Sequence, residues 1–291
     1  MKCLKVLILF FSLSVLFQLA TTSANAEECT INADGEYIRD EALSGCNTIP
    51  AVYEIIIYEA YLCKSAPIIA TTTTASDLSM CSKVFENTRG GSVASVVQNE
   101  DIDLEGKKFK PANGFYTHAY AKLDKTFGIT WSGTLNTALK SSTANGTADG
   151  VECRTVAGGG VFENGTTHNN SAICSGTAAA PGKFVETMNS FSDSDNESTS
   201  IVVENVPGNP GATIQGIIVD VNGFASTGNS DSFRLEATMK NASPITIDET
   251  TRGLSVKFSL VEAMDLNKES GSEDRLFVSS GPFISIMASQ N

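Results

Sequence analysis

The eleven residues from Val52 to Leu62, VYEIIIYEAYL, constrain the fold more than any other stretch of this chain. Most of these positions are β-branched or aromatic, and such side chains suit a pleated, half-buried surface better than a helix. Both alternating sets of positions are largely apolar, which is typical of a central strand covered on both faces. We therefore expect a central β-strand here, and a buried helix is the alternative.

Further strands are expected at short intervals, separated by Gly, Pro and Asn. Phe115 to Leu123 alternates large with small side chains, and Phe127 to Trp131 is expected to return beside it as a hairpin partner. Later strands are expected at residues 183–188, 201–206, 213–221, 232–239, 245–247, 254–264 and 276–287. Many short strands with turn residues between them predict an all-β fold, either a β-sandwich or a jelly roll of two packed sheets.

Residues 1–26 have the pattern of a signal peptide. Lys2 and Lys5 precede an apolar stretch, and Ala24 and Ala26 form an A-x-A cleavage pattern. We therefore expect a secreted protein, extracellular or periplasmic, with cleavage near Ala26 and no membrane span in the mature chain. Residues 27–291 are expected to form one enlarged sandwich, with residues 27–50 as an amino-terminal arm and residues 133–182 as a loop insertion rich in Gly, Thr and Asn.

Six cysteines follow the leader: Cys29, Cys46, Cys63, Cys81, Cys153 and Cys174. An even number of cysteines behind a secretory leader predicts disulfides, although the sequence leaves other pairings open. Pairing in sequence order, 29–46, 63–81 and 153–174, closes three short loops, each worth about 3 kcal/mol in the chain-entropy model. No C-x-x-C spacing accompanies them, so a zinc site is not expected.

The acidic residues offer one candidate metal site. Asp193, Asp195, Glu197 and Glu204 occupy the first, third, fifth and last positions of a calcium-loop register. Ser198 stands where that loop requires glycine, so a solvated acidic loop is the favoured interpretation and calcium the alternative. No other cofactor is expected. With 20 Lys and Arg against 33 Asp and Glu, the chain repels phosphate backbones, and nucleic acid is not an expected partner.

Tyr116, His118 and Tyr120 alternate along one predicted strand and are the candidate glycan-binding face. Aromatic rings in a row on a flat sheet can stack on the apolar faces of sugars. Such a row more often packs under a loop or a second sheet, and this is the favoured interpretation.

No catalytic signature such as G-x-S-x-G is present, and an enzyme is not expected. The first hypothesis is an exported, non-enzymatic extracellular or cell-surface protein with a structural or adhesive role, whose partners are copies of itself or other surface proteins. The apolar segment Pro282 to Ala288 could pair with another sheet edge. A carbohydrate-binding module is the second hypothesis. A secreted glycoside hydrolase is the third, because any two of the carboxylates could meet in space.

Overall fold

The computed structural model describes residues 27–98, 100, 102–140, 149–162, 171–191, 198–206, 209–252, 254–268, 276–280 and 285–290. The expected signal peptide, residues 1–26, lies outside them. The described chain has one short helix, α1 (Arg39–Ser44), and eighteen strands. The strands are β1 Cys46–Thr48, β2 Val52–Cys63, β3 Cys81–Glu86, β4 Ser92–Val96, β5 Lys107–Lys108, β6 Gly114–Thr130, β7 Ser132–Leu139, β8 Gly150–Thr155, β9 Gly158–Phe162, β10 Ala172–Ser175, β11 Phe184–Met188, β12 Ser200–Glu204, β13 Thr213–Val219, β14 Arg234–Ile247, β15 Leu254–Ser259, β16 Met264–Lys268, β17 Leu276–Ser280 and β18 Ser285–Gln290. The predicted all-β class is confirmed.

The largest sheet has ten strands and is built around β2, as expected from the Val52 run. Its main order is β12-β13-β14-β6-β2-β3-β5, with β4 beside β2, β11 beside β6 and β9 beside β11. Strand β6 pairs along nearly the whole length of β2, while β4 pairs with its first half and β3 with its second half. The central strand therefore has neighbours along both edges.

A single core covers one face of β2. Tyr53, Ile55 and Ile57 are buried there, whereas the alternating positions in this half of the strand are only partly buried. The same core contains apolar residues of β1, β16 and β17, which form one three-stranded sheet, and of β7, β8 and β10, which form another. These smaller sheets pack on the large sheet as the second layer of a sandwich. The expected cover on both faces of β2 is therefore incomplete.

The predicted hairpin between residues 115–123 and 127–131 is wrong, because β6 runs without interruption for 17 residues. No glycine-containing turn separates the two halves. The polar residues between them continue the strand, and their side chains have hydrogen-bond partners elsewhere in the chain. Asp124 accepts a hydrogen bond from Tyr58 (2.9 Å), and Lys125 Nζ donates to Asn189 Oδ1 (2.6 Å) and Ser232 Oγ (2.7 Å). Register shifts opposite Ile57 bend β2 and β6 instead of ending them.

Residues 133–182 contain more strand than a loop insertion would, since β8, β9, β10 and most of β7 lie within them. Backbone ladders and buried small polar groups replace large apolar side chains in this segment. Thr155, fully buried, accepts a hydrogen bond from the Trp131 backbone N–H (3.0 Å) and donates to the Gly182 carbonyl (2.7 Å). Cys153 and Cys174 lie opposite each other in the β8–β10 pairing.

The carboxy-terminal strand pairs within the chain. The stretches 254–264 and 276–287, each expected to be one strand, both divide in two, and β18 pairs antiparallel with β15. Residues 282–284 lie outside the described residues, and Ile286, Met287 and Ala288 belong to this internal pairing. The expected arm, residues 27–50, contains α1 and β1, which is tied to β16.

The three disulfides join Cys29 to Cys46, Cys63 to Cys81 and Cys153 to Cys174, as expected from sequence order. Three such bonds indicate an oxidising, extracellular environment. Across the described ranges, no helix is both long enough and apolar enough to cross a membrane.

Candidate functional site

The candidate glycan face is covered, as the favoured interpretation of this row expects. Tyr116 is 0% and Tyr120 2% exposed, and neither ring can stack on a sugar. Tyr116 packs with Leu62 and Ile245, and its hydroxyl donates to the Ala112 carbonyl at 2.6 Å. Tyr120 packs edge-on against Tyr61, with 5.7 Å between ring centroids.

The cover over Tyr120 includes the loop that the Cys63–Cys81 disulfide closes. Ser76 in this loop donates a hydrogen bond to the buried Glu236 carboxylate on β14 at 2.5 Å. Ala70 from the same loop packs against Ile217 of β13. Burial, together with the charge of Glu236, raises the pKa of Tyr120. The loop therefore converts a potential binding face into interior.

His118 is half-buried beside these tyrosines. Its Nδ1 lies 2.8 Å from the Thr117 hydroxyl, and burial, with a contribution from the Lys240 charge, lowers its pKa. The imidazole is therefore neutral at physiological pH, with no carboxylate among the groups that shift it.

A closed ion-pair network lies on β2, β3 and β6. Lys83 Nζ donates to Glu59 (2.6 Å) and Glu86 (2.7 Å), and Lys122 lies 3.5 Å from Glu59. Burial and the Glu59 hydrogen bond raise the pKa of Tyr61 to about 12. The charges satisfy one another, so the network is best explained as support for the sheet.

Three of the four candidate calcium ligands, Asp193, Asp195 and Glu197, lie outside the described residues. Glu204 ends strand β12 and is exposed. In the portion of the chain that the structure describes, no three His, Cys, Asp or Glu side chains converge as metal ligands.

A half-buried aspartate lies where the sheets meet. Asp265 of β16 is flanked by the core residues Met264 and Leu266 and pairs with Asn47 of β1. Burial, with the charges of Glu186 and Glu262, raises the pKa of Asp265 to about 7. This group couples the stability of the fold to pH.

A half-open cleft of about 320 Å³ lies at the β5 end of the large sheet. Its floor and walls are apolar: Ala60, Val84, Phe85, Ile102, Leu104, Phe109 and Pro111. Ile102 and Leu104 also pack against the main core, which fixes that wall. The volume is at the small end of the range for ligand pockets in proteins.

The rim of this cleft is basic although the chain carries a net charge of −13. Lys108, Lys110 and Arg252 line it together with one carboxylate, Asp103, which is ion-paired with Lys108. Lys110 Nζ donates to the Thr251 carbonyl at 3.0 Å, which leaves further N–H groups for a ligand. Within the described ranges Arg252 has no hydrogen-bond or ion-pair partner.

Sequence reasoning did not identify this cleft. The Lys107-Lys108-Phe109-Lys110 run was a usable signal, because three of the chain's 20 basic residues fall within four positions. Arg252 had no such signal, since it reaches the same rim from 142 positions further along the chain.

At the opposite end of the large sheet, β12 is the edge strand among the described residues. Strand β12 ends the sheet, and among the described residues its ladder partner is β13. At its first residue, the Ser200 carbonyl also accepts a hydrogen bond from the Ser198 hydroxyl (2.6 Å). Val202, in the middle of β12, is 57% exposed. The strand contains no lysine or proline and its pairing has no bulge, so three of the devices that blunt an edge are missing from it.

The chain matches no protein-family model, no curated protein and no solved structure. Its function has to be inferred from its own residues.

Proposed function

We propose that this chain is an exported, non-enzymatic extracellular or cell-surface protein with a structural or adhesive role, which assembles with a second copy of itself through β12. The open β12 edge carries the proposal. A strand edge presents unpaired backbone N–H and C=O groups, and an antiparallel copy can supply their partners.

The sequence of β12 suits a two-fold pairing. If two copies pair antiparallel about Val202, Val202 meets Val202, Ile201 meets Val203, and Ser200 meets Glu204. The β-branched residues then form cross-strand pairs, and neither Glu204 faces a like charge. At the other end of the sheet, β5 has only two residues, both lysine, and is a poor template.

Dimerisation supports adhesion through avidity. A two-fold dimer displays every other surface twice, so a weak contact with a cell surface is strengthened without any new contact within the chain. The three disulfides stabilise the sandwich, and they persist in the oxidising extracellular compartment where such a role is performed.

The two alternatives have less support. A carbohydrate-binding module would need an exposed aromatic face, whereas Tyr116 and Tyr120 are buried. A glycoside hydrolase uses two carboxylates across a cleft, whereas the lining of the cleft at β5 includes one, Asp103.

Light scattering coupled to size-exclusion chromatography tests the proposal on mature protein, residues 27–291. We expect a concentration-dependent dimer, and Val202→Lys (V202K) should raise its dissociation constant at least tenfold, because two lysines would face each other across the axis. Val93→Lys is the matched control, since Val93 is equally exposed (59%) but lies on β4. A strictly monomeric wild type, or dissociation by the control alone, would contradict the assignment to β12.

A further inference from the structure

We infer that the cleft at the β5 end of the sheet binds a small anionic amphiphile, a carboxylate carrying an aliphatic chain of medium length. The inference is independent of assembly, because β5 and β12 are opposite ends of the sheet order. The cleft stays open in the proposed dimer.

The apolar lining determines the body of the ligand. Phe85 is buried at the floor, and the half-buried Ile102 and Leu104 form a wall that is fixed by the main core. Phe109, 41% exposed, also lines the cleft. An aliphatic chain placed between these residues is removed from water on every face but the open one. This removal favours binding by the hydrophobic effect.

The volume determines the length of the chain. A cleft of about 320 Å³ holds roughly ten waters at about 30 Å³ each, and hence a ligand of about ten to twelve heavy atoms. Octanoate and decanoate fall in this range. A folded polypeptide surface does not enter a cleft of this size, which favours a free small molecule over a protein partner.

The rim determines the charge of the head group. Lys108 is neutralised by Asp103, so Lys110 and Arg252 are the cations left to meet a ligand. Lys110 is held against the Thr251 carbonyl and retains two N–H donors, and the guanidinium of Arg252 can bind both oxygens of a carboxylate. Elsewhere the acidic surface repels anions, so this rim is a local attraction.

Isothermal titration of mature protein with decanoate, decanol and acetate, all below micellar concentrations, tests the inference. Decanoate should bind one to one, decanol at least tenfold more weakly, and acetate not measurably. The double variant Lys110→Glu, Arg252→Glu should bind decanoate at least a hundredfold more weakly and should gain affinity for decylammonium. Lys107→Glu, exposed and next to the rim but not lining the cleft, should change the affinity less than twofold.

The localisation of the ligand is checked by methyl NMR, in which decanoate should shift Ile102, Leu104 and Val84 and leave the β12 methyl groups unmoved. Equal affinity for decanoate and decanol, or undiminished decanoate binding by the double variant, would overturn the inference. Tighter binding of a short peptide with an apolar terminal residue and a free carboxylate would overturn the assignment to a small molecule.

Discussion

Replacing Asp265 with Asn should make the protein more stable at alkaline pH and leave it almost unchanged at pH 4. Burial, with the nearby Glu186 and Glu262, raises the pKa of Asp265 from its ordinary 3.8 to about 7. Well below pH 4 this carboxyl is protonated in both the folded and the unfolded chain. Between pH 4 and pH 7 the unfolded chain releases the proton while the folded chain keeps it, so stability falls as the pH rises.

The magnitude follows from the size of the shift. Each pKa unit corresponds to about 1.4 kcal/mol, so a shift of about 3 units amounts to at most about 4 kcal/mol by pH 8. The free energy of unfolding of D265N minus that of the wild type should therefore rise from near zero at pH 4 to a few kcal/mol at pH 8. It should stay constant above that, because the folded carboxyl is then ionised as well.

Urea unfolding at intervals between pH 4 and pH 8 measures this difference, with the disulfides kept intact. Trp131 is the only tryptophan and is 1% exposed, so its fluorescence reports the loss of the core. Asp40→Asn is the control for the loss of one carboxylate, because the Asp40 side chain is 86% exposed. A constant offset for D265N, or a D265N protein less stable than wild type at pH 8, would refute the reasoning.

Two further predictions concern the sheet around β2. Replacing Cys63 and Cys81 together with Ser opens a loop of sequence separation 18 and should cost about 3 kcal/mol, with new proteolytic cleavage within residues 64–80; unchanged stability would mean that contacts such as Ser76 to Glu236 hold the loop without the disulfide. Gly91→Ala places a Cβ 2.3 Å from Ile56 Cγ2, whereas Gly35→Ala, at a similar positive φ (83° against 76°), meets open space. Thermal melts should show G91A more destabilised than G35A by about 1–3 kcal/mol, and equal losses would contradict the predicted clash.

The central strand and the disulfides could be predicted from the sequence because their signals are local. The side chains of Val52 to Leu62 prefer a pleated surface whatever surrounds them, and the six cysteines pair consecutively along the sequence. The all-β class follows for the same reason, since each short strand carries its own pattern.

The sequence alone does not predict the structure where contacts between residues far apart in the chain decide it. Strand β6 continues past Asp124 because Lys125 donates a hydrogen bond to Ser232, which lies 107 positions away in the sequence. Tyr120 is covered because a loop carrying Ser76 reaches Glu236 across 160 positions. Alternation along a strand shows which residues share a face, but it does not show what lies on that face.

The candidate sites show the same difference between local sequence patterns and contacts between distant residues. The tyrosine row was visible in the sequence and is buried, whereas the cleft needs Lys110 and Thr251 to meet across 141 positions. The edge at β12 could not be found from its sequence either, because an edge is defined by the strand order of the whole sheet.

The central claim is that β12 pairs with its own copy about Val202, and a single cysteine tests it most directly. Residues opposite each other on antiparallel strands have Cα atoms about 4.5–5.5 Å apart, within the range that a disulfide spans. Val202→Cys should therefore give a covalent dimer under mild oxidation, seen on a non-reducing gel and lost on reduction, while Val221→Cys, at a 74% exposed position past β13, should not. A V202C protein that stays monomeric, or cross-links no faster than V221C, would contradict the claim.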